Sequence, residues 1–185
     1  MSDKLDMKTL SGEATSYDKK QMLEARRPKS WLKSVSAFAN GEGGILIFGV
    51  SDDDQVLGLA DAEGDAEKIS EEIKSKLDPV PAVRLELKEA DGKKLVLLHV
   101  YTGQETPYYY IGDKQRLAFV RIGNESVVAG RIQLKSLVLK GAGKTYDSLH
   151  PITALRIWHF QNLDPSITNG CSARLTTVNS YRGAL

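Results

Sequence analysis

An α+β fold, with a two-layer, mixed and largely antiparallel sheet and packed helices, is what three stretches of the sequence predict. The first is a helical pattern that ends at Asn40-Gly41-Glu42-Gly43-Gly44 and runs at once into the apolar strand Ile45–Val50. The second is an amphipathic stretch, 61–77, closed by Pro79 and Pro81. The third is a strictly alternating run, Val83-x-Leu85-x-Leu87, which reaches a second apolar run through Asp91-Gly92.

Each element has its own justification. Residues 1–27 are polar and charged, with little periodicity beyond Met22 and Leu23. Pro28 suits the first turn of a helix, and Trp31, Leu32, Val35, Phe38 and Ala39 then share one helical face. After the glycines, Ile45–Val50 is too short for a helix, and its β-branched residues favour a buried strand. Gly41, Gly43 and Gly44 permit the sharp reversal, and Gly49 closes the strand. Asp52-Asp53-Asp54 turns the chain, and 55–59 is expected as a short partner strand. Ala66, Ile69, Ile73 and Leu77 form the apolar stripe of the next helix, which Glu72 and Lys76 support as an i,i+4 pair. Asp91-Gly92 predicts a tight hairpin between 83–87 and 95–100. A further strand is expected over 117–122 and a last helix over 132–139, stopped by Gly141.

The domain expected over 1–145 gives way to an extension, 146–185, rich in Ser, Thr, Asn and Gly and without sustained periodicity. A formal net charge of +1 over 185 residues excludes a global field for a polyanion, so any basic surface must be local. The single Cys171 excludes an internal disulfide framework and fits a reducing compartment. No apolar run approaches the roughly 20 residues needed to cross a bilayer, so a cytoplasmic protein without a membrane partner is expected.

Several suggestive motifs fail on spacing. Gly143-Lys144-Thr145 resembles the end of a phosphate-binding loop, but Val138 stands where its first glycine belongs. Leu46 occupies the place of the third glycine in a dinucleotide fingerprint begun at Gly41-x-Gly43. His99, His150 and His159 show no metal-ligand spacing, and His99 alternates along a strand as a structural residue would. The densest basic stretch is Lys19, Lys20, Arg26, Arg27, Lys29 and Lys33, which either tracks a phosphate backbone or forms a solvated helix face.

Ala37-Phe38-Ala39-Asn40-Gly41-x-Gly43-Gly44, the strand ending Phe48-Gly49-Val50, Pro107-Tyr108 and Arg121-Ile122-Gly123 resemble, in order, the AlbA-type DNA-binding domain of Schlafen proteins and related bacterial regulators. The resemblance covers about residues 10–145. It implies a nucleic-acid-binding domain, DNA or RNA, in a transcriptional regulator, with a homodimer by analogy. On that reading Lys20, Arg26, Lys33 and Arg121 contact phosphates, Tyr108 or Tyr110 stacks on bases, and the backbone at Gly123-Asn124 turns N–H groups toward an anion. The resemblance also implies an alternative. Nuclease relatives hold Mg²⁺ or Mn²⁺ with carboxylates at the spacing of Glu13 and Asp18, joined by Asp52 or Asp53, which would make this a metal-dependent endoribonuclease. Lys19 stands where that pattern usually has an aromatic. A third expectation, from the labels such regulators carry, is ATP binding. Family members usually continue into a further helical domain, which 146–185 does not resemble; a truncation or altered reading frame would produce this.

Overall fold

The computed structural model describes residues 16–143. Within them lie eight strands and three helices: β1 (Tyr17–Lys20), α1 (Lys29–Asn40), β2 (Gly44–Phe48), α2 (Ala62–Lys76), β3 (Leu77–Asp78), β4 (Val83–Ala90), β5 (Lys93–Val100), β6 (Tyr109–Gly112), β7 (Gln115–Ile122), β8 (Glu125–Val128) and α3 (Arg131–Gly141). The fold class is α+β as expected, but the strands divide into two separate four-stranded sheets, ordered β1-β2-β5-β4 and β3-β6-β7-β8. Every pairing is antiparallel except that of β1 with β2.

Helix α1 is the common core of both sheets. Its residues 34–40 and Trp31 and Leu32 are buried on every side, leaving only Lys29, Ser30 and Lys33 partly open. Toward the first sheet it presents Trp31, whose ring meets Phe48 edge-on at 5.8 Å, and a cluster with Leu46, Val96 and Leu98. Toward the second it meets Tyr108, Tyr110 and Phe119. Ile69 and Ile73 of α2, and Leu77 directly after it, join the same cluster. A smaller core, Ile47, Val50, Leu95 and Leu97, sits on the opposite face of the first sheet. Two buried faces explain why β2 and β5 read as continuous apolar runs rather than alternating ones.

The turns follow their residue types. Asp91 (φ 52°) and Gly92 (φ 71°) take the two left-handed positions of a tight hairpin turn between β4 and β5. Asp113 (φ 50°) and Lys114 (φ 57°) do the same between β6 and β7. The partner strand expected over 55–59 reduces to one isolated bridge, Val50 with Val56. Asp61 caps α2 by accepting a hydrogen bond from the Gly64 N–H at 3.0 Å. The extension 146–185, Cys171 and Glu13 lie outside the described residues. No helix among the described residues is long and apolar enough to cross a membrane.

Candidate nucleic-acid interface

The glycine corner is built from contacts no other residue allows. Gly43 has φ 85°, and a Cβ there would stand 2.8 Å from the Val100 carbonyl oxygen. A Cβ on Gly44 would stand 2.5 Å from the Phe38 ring. Asn40, expected as a turn residue, has a larger task. Its side chain is 3 % exposed and donates to the carbonyls of Tyr108 (3.0 Å) and Phe119 (2.9 Å), while its Oδ1 accepts from the Tyr108 N–H (2.7 Å). Ser36 adds a bond to the Tyr108 carbonyl (2.7 Å) and accepts from the Phe119 N–H (3.2 Å). This polar clamp fixes the carboxyl-terminal half of α1 to the second sheet and satisfies backbone groups that would otherwise be buried without partners.

Tyr108 and Tyr110 therefore do not stack on bases. They are 6 % and 1 % exposed, because the chain entering and starting β6 turns both rings into the core beside α1. Burial pushes the Tyr110 hydroxyl above its ordinary pKa, as does Asp113, whose carboxylate accepts its hydrogen bond at 3.2 Å. Tyr109, between them, points out and lies under the Arg116 guanidinium at 4.2 Å.

Arg121 is likewise occupied within the fold. Its guanidinium donates to the Tyr17 carbonyl (2.9 Å) and the Ser126 hydroxyl (3.1 Å) and lies 5.0 Å over the Phe38 ring. Burial lowers its pKa, opposed by the nearby Asp18 carboxylate. Asp18 accepts from the Ser34 hydroxyl (2.5 Å) and from Lys20 (3.2 Å), and Ser126 donates to Ser34 (3.2 Å). Arg121, Asp18, Lys20, Ser34 and Ser126 thus form one network that ties β1, α1, β7 and β8 together. Lys20 and Arg121, expected on phosphates, serve as structural groups. Asn124 is exposed at the tip of the β7–β8 turn, beside Gly123 with φ 59°.

Of the carboxylates expected to hold a metal, Glu13 lies outside the described residues. Asp18 belongs to the network above, Asp52 and Asp53 are exposed in the turn after β2, and Lys19 pairs with Asp54. Among the described residues no group of three His, Cys, Asp or Glu side chains could hold a metal ion.

What the structure brings together instead is a cationic strip at the amino-terminal end of α1. Arg26 and Arg27 are exposed in the turn that leads into the helix. Lys29 and Lys33 follow one turn apart on it. Lys29 donates to the Gln115 side chain at 3.0 Å, which places the β6–β7 hairpin tip, with Lys114 and Arg116, against the same helix end. Arg26, Arg27 and Lys33 make no ion pair among the described residues, whereas Arg116 bridges Asp78 at 3.1 Å. Lys114 and Arg116 were not legible as site residues, because their proximity to α1 arises from sheet pairing; the tight Asp113-Lys114 turn was the available signal.

Residues 13–130 match the Schlafen AlbA_2 family, and the chain belongs to it. Among solved structures, the chain is similar to the amino-terminal domain of a RecG-related protein of Nitrosomonas europaea, at 22 % identity and a TM-score of 0.47, over 65 % of this chain and 86 % of that one. It is also similar to a protein of Corynebacterium diphtheriae, at 17 % identity and a TM-score of 0.48, over 71 % of this chain. The aligned part spans only 27 % of the Corynebacterium chain. No curated protein matches.

Proposed function

We propose that this chain is a nucleic-acid-binding domain of a transcriptional regulator, with duplex DNA as its partner. The observation that carries the reading is the strip of Arg26, Arg27, Lys29, Lys33 and Lys114 at one end of α1, of which Arg26, Arg27 and Lys33 make no ion pair among the described residues. A protein of net charge +1 that keeps such cations together on one edge has a local surface suited to a phosphate backbone. Membership of the AlbA_2 family agrees with this, and the RecG-related protein named above is itself described in helicase terms. The buried tyrosines and the internally bonded Arg121 remove base stacking and bidentate phosphate pairing from this reading, leaving contacts that position the backbone without reading sequence.

Fluorescence anisotropy with duplex DNA, single-stranded DNA and tRNA across a salt series tests it. Log K for the duplex is expected to fall linearly with log salt, with a slope of about −0.9 per phosphate neutralised. Arg26→Glu/Lys33→Glu is expected to weaken binding at least about tenfold, since it converts two attractive contacts into repulsive ones. Salt-independent binding, or an unchanged affinity in that variant, would overturn the proposal. RNA incubated with Mn²⁺ beside an Asp18→Asn control addresses the nuclease alternative: cleavage lost in the control would replace a binding module with an enzyme.

A further inference from the structure

A second feature lies at the other end of α1, about 18 Å away for a helix of this length. A cleft of about 730 Å³ opens there between the glycine corner, the start of β1, the end of β5 and the outer part of β7. That volume falls in the range of small-molecule sites, roughly 300–1,000 Å³.

Tyr17, Ile45 and His99 are direct cross-strand partners on β1, β2 and β5, and all three line the cleft. Two strand spacings make this shelf about 10 Å wide, enough for a bicyclic ring. Tyr101, 50 % exposed, stands at the rim as a stacking surface. Gly41, Gly43 and Gly44 also line the cleft and contribute backbone without side chains.

The electrostatics do not favour a phosphate. The cleft sits at the carboxyl-terminal end of α1, whose dipole presents negative charge there. Glu42, exposed at the mouth, adds a carboxylate. The cation on the wall, Arg121, already faces Asp18 and donates to Tyr17 and Ser126. A planar ring with N–H donors on its edge suits such a place; an anion does not.

We infer that this cleft binds an uncharged aminated heteroaromatic ring of nucleobase or nucleoside class, stacked on the Tyr17–Ile45–His99 shelf under Tyr101. The inference goes beyond the nucleic-acid reading and does not rest on it, because shelf and cationic strip occupy opposite ends of α1.

Ligand-observed saturation-transfer NMR on the full chain, with adenosine, ATP and ribose titrated separately into the millimolar range, tests it. Adenosine is expected to bind saturably, ATP no more tightly than adenosine, and ribose not at all. Tyr101→Ala is expected to weaken adenosine about tenfold, in line with the loss of one stacking partner. Ser16→Trp, on an exposed residue at the cleft edge, is expected to block it by filling the space. Circular dichroism melts confirm that each variant is folded. No saturable adenosine signal in the parent protein overturns the site, and ATP binding tenfold tighter than adenosine overturns the uncharged class. Adenosine binding that persists undiminished in either folded variant places the ligand elsewhere and also refutes the assignment.

Discussion

The two ends of α1 are built from opposite materials. At the carboxyl-terminal end, Ser36 and Asn40 are buried and their side chains are bonded to the backbone at the second sheet, while Gly43 and Gly44 pack where a Cβ would meet the Val100 carbonyl and the Phe38 ring. At the amino-terminal end, Arg26, Arg27 and Lys33 reach into solvent with no ion pair among the described residues. The family motif lies at the first end and the proposed phosphate contacts at the second. A conspicuous motif can therefore report how a domain is assembled while its partner surface is formed by ordinary-looking charges elsewhere.

Breaking the buried end should cost the most. Asn40→Ala removes the partner of the Tyr108 N–H and one acceptor-satisfying group from two buried carbonyls, so denaturant unfolding is expected to show a loss of about 4 kcal/mol. Gly44→Ala pushes a methyl group into the Phe38 ring, and the same measurement should register about 2 kcal/mol of overpacking. A cost below a few tenths in either variant would mean that the corner yields more than its packing indicates.

Tyr110→Phe sharpens the contrast through pH. The folded-state pKa of Tyr110 is raised above its ordinary 10.0, so the unfolded chain releases this proton first. Stability from this group is complete below about pH 10 and declines as pH rises through the folded value. The variant is expected to lose about 1 kcal/mol at neutral pH, for the missing bond to Asp113, and to show a shallower decline under alkaline conditions. An unchanged alkaline slope would show that this hydroxyl is not responsible. The open end should respond least: Arg26→Ala/Lys33→Ala is expected to leave the unfolding free energy within about 0.5 kcal/mol of the parent while weakening DNA. A large loss of stability would show that these cations hold the fold.

Elements with their own periodicity were legible in the sequence: α1, α2, the β4–β5 hairpin and α3 all form where patterning puts them. Those that depend on a distant partner were not. Tyr17-Asp18-Lys19-Lys20 carries no apolar alternation and becomes a strand only by pairing with the edge of β2, with Asp18 received by Ser34. Tyr108-Tyr109-Tyr110 shows no sign of which rings face inward until β7 and α1 enclose them. The division into two sheets is invisible for the same reason, since it follows from a helix buried on every side. Of the candidate site, Arg26 and Lys33 were readable as basic residues at helical spacing, whereas Lys114 joins them only through the Lys29–Gln115 contact.

Because α1 packs against both sheets, the faces they turn toward it share one core. Loss of α1 would expose the inner faces of both at once, so the domain should melt in one step with no half-folded species. Amide protons near Val35 and Ser36 would then exchange only through complete unfolding. A tether at either end of that helix would be felt equally by both layers, and a polyanion pulling on its amino-terminal turn would load the whole assembly through a single axle.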